Sequence, residues 1–348
     1  MSSSASPLVS VLIPVYNGEK TLATAIRSVL AQTYAHLDLT IVNNCSTDRT
    51  RAIAQEFADT DPRVRIHDNT AFLNVVGNHN LAFTLASNDA KYAKILGADD
   101  WLFPNCITEL VRVAEDHPTV GMVTSYVLSG SRVMWDGLPY PSTFVPGREV
   151  CRMRLLKGLK VFGPPSSSLI RASIVRETRP FYNPLNYHGD NEAYYNLLRH
   201  YDFGYVHQVL TYMLKGEESR TTAYCERINS YLAADVDEVA KFGPVYLTER
   251  ECADRLRVVT RTYYRFLASS VFELREHEFW DYHLRQFKAM GYPISYGRLA
   301  LYMALWLADA IFNPKRTIEG VVRRIVSVLP RLFRRAGVAP AKPQGATS

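Results

Sequence analysis

The chain has 348 residues, 47% hydrophobic and 21% charged, a balance that supports a packed core and excludes global disorder. Its formal charge of +6 is uneven: residues 313–335 hold Lys315, Arg316, Arg323, Arg324, Arg331, Arg334 and Arg335 against Glu319 alone, so no nucleic-acid-binding field covers the molecule. Five scattered cysteines without a CxxC spacing argue against a disulfide framework or structural zinc and fit a reducing compartment.

Residues 1–7 lack the basic and apolar regions of a leader and are expected to be disordered. The apolar run 8–13 has strand length, and Pro14 is expected to end it by removing a ladder donor. Pro14, Val15, Tyr16 and Asn17, with Glu19, then form a turn that offers backbone groups and an aromatic face to a ligand. Leu22, Ala25, Ile26, Val29 and Leu30 share one face of a helix. Strand-length runs recur at 37–42, 63–67, 91–96 and 120–128 with helical patterns between them. Asp48 is placed as a cap of the second helix and Pro104 in the first turn of the fourth. This alternation predicts an α/β fold with a mostly parallel sheet, helices on both faces and ligands at the strands' carboxyl ends.

From 131 to 165 the pattern is broken by Gly137, Pro139, Pro141, Pro146, Gly147, Gly163, Pro164 and Pro165, which predicts loops over a site. A helix near 190–200 and a strand near 203–214 follow. Beyond residue 223 helices are expected at 224–241, 248–276, 278–290, 295–312 and 316–335, and a disordered tail over 337–348. The run 299–312 carries Asp309 and is too short to span a bilayer, so a packed helix is expected.

The chemistry concentrates at Asp99 and Asp100, directly after the apolar run 92–98. Two adjacent carboxylates at a strand end are costly unless positive charge joins them, and a divalent cation with its phosphates is the usual remedy. Together with the ends at 14–19 and 42–48, they describe a nucleotide-diphosphate site. His188, Gly189, Asp190, Asn191 and Glu192 precede a helical pattern and add a second group of acids.

These motifs in this order resemble the inverting glycosyltransferase family 2, whose architecture is the Rossmann-like GT-A fold. The resemblance implies a GT-A domain over 8–222 and a helical appendage over 223–336. It implies that Pro14, Val15, Tyr16 and Glu19 contact the nucleotide. Asn43 and Asn44 stand where the family has aspartates, and the Asn44 carbonyl is expected to accept a base N–H. Asp100, with Asp99, is implied to hold Mn²⁺ or Mg²⁺ on the diphosphate, Asp99 alternatively touching the ribose. Gly97 occupies the place of a further acid. His79 is implied to approach a phosphate. Asp190 is implied to be the base that deprotonates the acceptor, with Gly189 replacing a glutamate and Glu192 as the alternative base. Ser219 and Thr221 match a later motif in which only Lys215 or Arg220 supplies positive charge.

The implied activity is transfer of a sugar from a nucleotide-diphosphate donor to a glycan or lipid-linked acceptor hydroxyl, in surface polysaccharide or glycolipid synthesis. Two alternatives stand beside it. One is a nucleotidyltransferase, which would need a Gly-rich basic loop where Pro14–Asn17 stands. The other is a non-catalytic sugar-nucleotide binder, suggested by Asn43, Asn44, Gly97 and Gly189. Separately, 316–335 sets Ile318, Val321, Val322, Ile325, Val326, Val328, Leu329, Leu332 and Phe333 opposite Arg323, Arg324, Arg331, Arg334 and Arg335, with Pro330 as a kink. That pattern suits a helix on an anionic membrane surface, or one packed on the catalytic domain. The expected location is cytoplasmic, peripheral on the inner membrane's cytoplasmic face.

Overall fold

A computed structural model describes residues 6–186, 188–214, 225, 227–273, 275–291 and 293–313. One unit runs to Leu256 and a second begins at Arg257.

In the first unit β1 (Val9–Val15), α1 (Leu22–Leu30), β2 (Leu37–Asn43), α2 (Thr50–Ala58), β3 (Val64–Asp68), α3 (Val75–Thr84) and β4 (Tyr92–Ile95) alternate as expected. Every residue of β1 is buried, as a central parallel strand covered on both faces requires. Leu22, Ala25, Ile26 and Val29 of α1 seal that sheet. β5 (Trp101–Leu102), α4 (Cys106–Asp116), β6 (Val120–Ser129), β7 (Arg132–Met134), β8 (Phe144–Val145) and α5 (Gly147–Lys157) follow. A 3₁₀ turn (Pro165–Ser167) leads into β9 (Leu169–Arg171), α6 (Ala172–Glu177), α7 (Gly189–Leu197), β10 (Asp202–Met213) and α8 (Tyr231–Tyr246).

The ten-stranded sheet has the order β3-β2-β1-β4-β9-β6-β10-β5, with β7 on β6 and β8 on β10. The long registers are parallel: β3, β2, β1 and β4 form one block, and β6 with β10 another. β9 joins the blocks by pairing antiparallel with both β4 and β6. Parallel β1 and β4 end side by side, with the Leu96 amide donating to the Leu12 carbonyl at 2.9 Å.

Several local expectations are corrected. Pro14 does not end β1 but sits inside it, opposite Val42. Its missing N–H lies on the β4 side, where β4 has already stopped at Ile95, so no ladder bond is lost. Asp48 stands one residue ahead of the α2 cap position, yet accepts from the Thr50 amide at 3.0 Å. Pro104 precedes the α4 cap, Asn105, instead of lying in the first turn. The stretch 131–165 holds a full helix, α5, in addition to loops.

α9 (Glu249–Phe272) carries the chain across the unit boundary, and α10 (His277–Ala289) and α11 (Tyr296–Phe312) complete the second unit. The second unit packs Tyr263, His283 and Phe287 together, the tyrosine hydroxyl lying 2.6 Å from His283 Nδ1. α11 departs from expectation: none of its residues is fully buried. Lys215, Ser219, Arg220 and Thr221, residues 316–335 and both termini lie outside the described residues.

Gly147 shows how closely the elements meet. A Cβ there would stand 2.0 Å from the Tyr201 carbonyl oxygen and 2.5 Å from that of Leu198. Neither backbone atom can yield cheaply, and the Gly147 amide also donates to Asp202 at 3.0 Å. Gly147→Ala should therefore destabilise the protein by about 3 kcal/mol, measured by urea unfolding.

Candidate functional site

The site grows from the carboxyl ends of β1 and β4. Asp100 is only 7% exposed. Its Oδ2 accepts from Ser166 Oγ at 2.5 Å and its Oδ1 from the Leu214 amide at 3.3 Å. Ser166 Oγ in turn accepts from the Gly97 amide at 3.0 Å. Below it, the wholly buried Lys94 donates from Nζ to the carbonyls of Ser166 at 2.5 Å and Ser168 at 3.4 Å. Burial, then the neighbouring Asp99 charge, push the Asp100 carboxyl up to about 7 despite these donors. Asp99 is also raised by burial, and Lys94 is lowered by it.

Gly97 explains why no third acid stands here. A Cβ on it would lie 3.0 Å from both Asp99 Oδ1 and Asp100 Oδ2, so the two carboxylates converge on the face it leaves open. Among the described residues no group of three or more His, Cys, Asp and Glu is placed to hold a metal ion. Two carboxylates alone suit a hard cation that takes its remaining oxygens from phosphate and water. Mn²⁺ and Mg²⁺ both fit that donor set.

The turn after β1 is laced to the turn after β2. Asn17, at φ 52°, accepts from the Thr47 amide at 2.8 Å, and its own amide donates to Ser46 Oγ at 3.0 Å. The Gly18 amide donates to Thr50 Oγ1 at 2.8 Å. Glu19 joins this lacing, its amide donating to Asp48 at 3.1 Å and its carboxylate accepting from the Arg49 amide at 3.3 Å. Pro14 and Val15 are buried within β1, so Tyr16 is the side chain this turn presents. Its ring meets Phe72 edge-on at 4.9 Å.

Asn44 is committed elsewhere. Its Oδ1 accepts from the Leu73 amide and from Asn69 Nδ2, both at 2.9 Å, while its Nδ2 donates to the Leu73 carbonyl at 2.8 Å. It thus holds the loop after β3 in place. Asn43 is likewise engaged with Asp68 and the Ser46 amide. The free acceptor in this corner is Asn69 Oδ1, which is buried without a hydrogen-bond partner.

His79, in α3, has Nδ1 2.7 Å from the Val75 carbonyl, which makes Nδ1 the protonated nitrogen of the neutral ring. Burial lowers its pKa, so it brings no positive charge to the free protein near neutrality. Its neighbour Asn80 exchanges two 2.8 Å hydrogen bonds with the Tyr182 backbone and so pins the segment leading to α7.

Asp190 occupies the first turn of α7, with Oδ1 accepting from the Asn191 amide at 2.8 Å. Burial raises its carboxyl above the ordinary range, partly offset by His188. Glu192 differs. It accepts from Asn186 at 2.8 Å, from Asn183 at 3.2 Å and from Lys241 at 3.4 Å, and these donors hold its carboxyl low.

Four participants escaped sequence reasoning. Phe72, Asn69 and Ser166 carry no local signal, because their roles come from partners remote in sequence. Lys94 was visible as a lone charge inside an apolar strand.

A family model described as glycosyl transferase family 2 matches residues 10–179. An uncharacterized glycosyltransferase of Haemophilus influenzae is 25% identical over 51% of this chain and 55% of its own length. The putative glycosyltransferase EpsE of Bacillus subtilis is 29% identical over 42% of this chain and 54% of its own. The chain therefore spans about half the length of these curated relatives. The Escherichia coli protein WfgD, named a UDP-Glc:alpha-D-GlcNAc-diphosphoundecaprenol beta-1,3-glucosyltransferase, is 36% identical over 27% of this chain and 36% of its own. Among solved structures, S. aureus TarS 1-349 with UDP-GlcNAc superposes with a TM-score of 0.59 at 14% identity, covering 82% of this chain and 80% of that one. The mannosyltransferase PcManGT of Pyrobaculum calidifontis, with GDP-Man and Mn²⁺, reaches 0.54 at 17% identity over 90% and 83%. At such identities the superpositions establish the fold, and the matched residues cover every strand of the β1–β4 block that ends in Asp99 and Asp100. Residues 10–179 thus form a domain similar to glycosyl transferase family 2.

Proposed function

We propose that the protein is an inverting glycosyltransferase that moves one sugar from a nucleotide-diphosphate donor to an acceptor hydroxyl. The observation that carries this reading is the convergence of Asp99 and Asp100 on the open face of Gly97, with Asp100 poised near neutrality. Asp100 and Asp99 would hold Mn²⁺ or Mg²⁺, which when bound supplies Lewis-acid assistance to the departing diphosphate. The Mn²⁺ and GDP-Man named for PcManGT, and the UDP and UDP-GlcNAc named for TarS, support a donor of this class.

Tyr16 and Phe72 offer ring faces to a base. Asp190 takes the proton from the acceptor hydroxyl as that oxygen bonds to C1 and the C1–O bond to the diphosphate breaks, with inversion at C1. A raised pKa suits a group that must accept a proton, whereas Glu192 is already saturated with donors. The diphosphoundecaprenol in the name of WfgD supports a lipid-linked acceptor, and hence a place on the cytoplasmic face of the inner membrane. Among the described residues no helix is long and apolar enough to cross a membrane.

The reading is tested by screening nucleotide sugars with Mn²⁺ for thermal stabilisation, then assaying release of nucleoside diphosphate. Asp100→Asn should cut that release at least about 100-fold, and donor binding without turnover by wild type, even with acceptor extracts, would refute the enzyme. Asp190→Asn should lower transfer by about 100-fold or more while leaving donor affinity within about twofold, and Glu192→Gln should retain activity. Loss of donor binding in Asp190→Asn would make Asp190 structural instead.

Proton linkage provides a separate check. The Asp100 carboxyl is higher in the folded protein than the ordinary value near 3.9 of an unfolded chain. Its contribution is therefore fully present below about pH 4 and lost as pH rises through about 7. Relative to Asp100→Asn, the wild-type protein without metal should lose up to about 4 kcal/mol between those limits. Stabilisation by Mn²⁺ should in turn be larger at alkaline than at acidic pH, as denaturant titrations in each buffer would show.

A further inference from the structure

We propose that α11 (Tyr296–Phe312) lies in the plane of an anionic membrane surface, with its outward apolar face sunk into the headgroup boundary. The inference concerns the second unit and stands independently of the transferase reading.

Seventeen residues of α11 include only two charges, Arg298 and Asp309. Advancing about 100° per residue, these two share one narrow strip of the helix. One face turns toward α9: Tyr302 stacks on Tyr264 at 6.2 Å and Trp306 on Phe272 at 4.4 Å. Away from those rings the helix exposes Leu301, Leu305, Leu307, Ile311 and Phe312, with Ile311 69% and Phe312 86% exposed. A helix apolar on both sides of a thin polar strip is a stable surface element only when something covers the outer side.

Charge identifies the cover. Directly after Phe312, residues 313–335 bring seven Lys and Arg against one Glu. That excess, directly following the apolar helix in sequence, draws it to anionic lipid, at about 1 kcal/mol per basic residue near the surface. At 1.5 Å per residue α11 is about 25 Å long, short of a bilayer core, and the described helices contain no spanning segment, so it lies along the surface. Tyr296, 70% exposed at the start of the helix, is a side chain that favours the membrane–water boundary.

The test uses the full chain and flotation with vesicles of phosphatidylcholine alone or mixed with phosphatidylglycerol. Binding should be at least about tenfold stronger to the mixed vesicles and should weaken with salt. Leu305→Glu with Ile311→Glu should reduce it at least about tenfold, with Tm unchanged because both side chains already face solvent. Hydrogen exchange over 296–312 should slow when mixed vesicles are added. Equal flotation of wild type and double variant would overturn the proposal. So would a dimer in light scattering that the double variant dissolves, since a second copy would then be the cover. Vesicle-independent protection of α11 that disappears on deleting 314–348 would overturn it in favour of the chain's own C-terminal segment. Donor hydrolysis, measured on the same samples, reports separately on the transferase reading.

Discussion

Much of this site follows from burying the Asp100 carboxylate at the edge of a parallel sheet. An uncompensated charge there would cost several kcal/mol, and the protein supplies a hydroxyl, one amide and a buried ammonium nearby. Those groups fix the surroundings in turn. Ser166 must stay in place, so the 3₁₀ turn that carries it is held from below by Lys94 and from the side by the Gly97 amide. The end of β10 is drawn in through Leu214, and stacking of Trp101 on Tyr212 at 3.8 Å secures the same edge. The compensation stops short: Asp100 still titrates near neutrality, which leaves the site short of positive charge by design of its packing.

The acid on α7 is supported differently. Arg154 of α5 pairs with Glu238 of α8 at 3.0 Å, and Asn191, next to Asp190, donates to the same carboxylate at 2.8 Å. Three helices thus meet at one largely buried ion pair, whose breakage would leave a charge stranded. α7 cannot slide without disturbing it, so Asp190 is held through its neighbour's side chain as well as by the Asn191 amide on its own carboxylate.

The parallel block was legible because its signals are periodic and local. β1 to β4 and α1 announce themselves by strand length and helical spacing, and the strand ends locate Asp99 and Asp100. α5 was hidden although Gly147, Val150, Cys151 and Leu155 keep the helical period, since its first member is a glycine beside a proline and reads as punctuation. The hydrogen bonds of Asn44 were not legible locally because its partners, Asn69 and Leu73, lie 25 and 29 residues away. Pro14 misled for a related reason: whether a proline ends a strand depends on how far its neighbour extends. Periodicity likewise showed α11 as a helix but carried no information about what it packs against.

β9 gives the sheet a seam. Three residues long, it joins two parallel blocks through two register pairs on each side. Short antiparallel junctions of this kind are where a large sheet opens first, ahead of global unfolding. The turn leading into β9 is also the one that supplies Ser166 to Asp100. Breathing of the seam therefore removes the Ser166 donor from Asp100 and relieves its burial, while both blocks remain folded. The charge of the site is coupled to the cooperativity of the sheet, through a single hydroxyl that belongs to neither block.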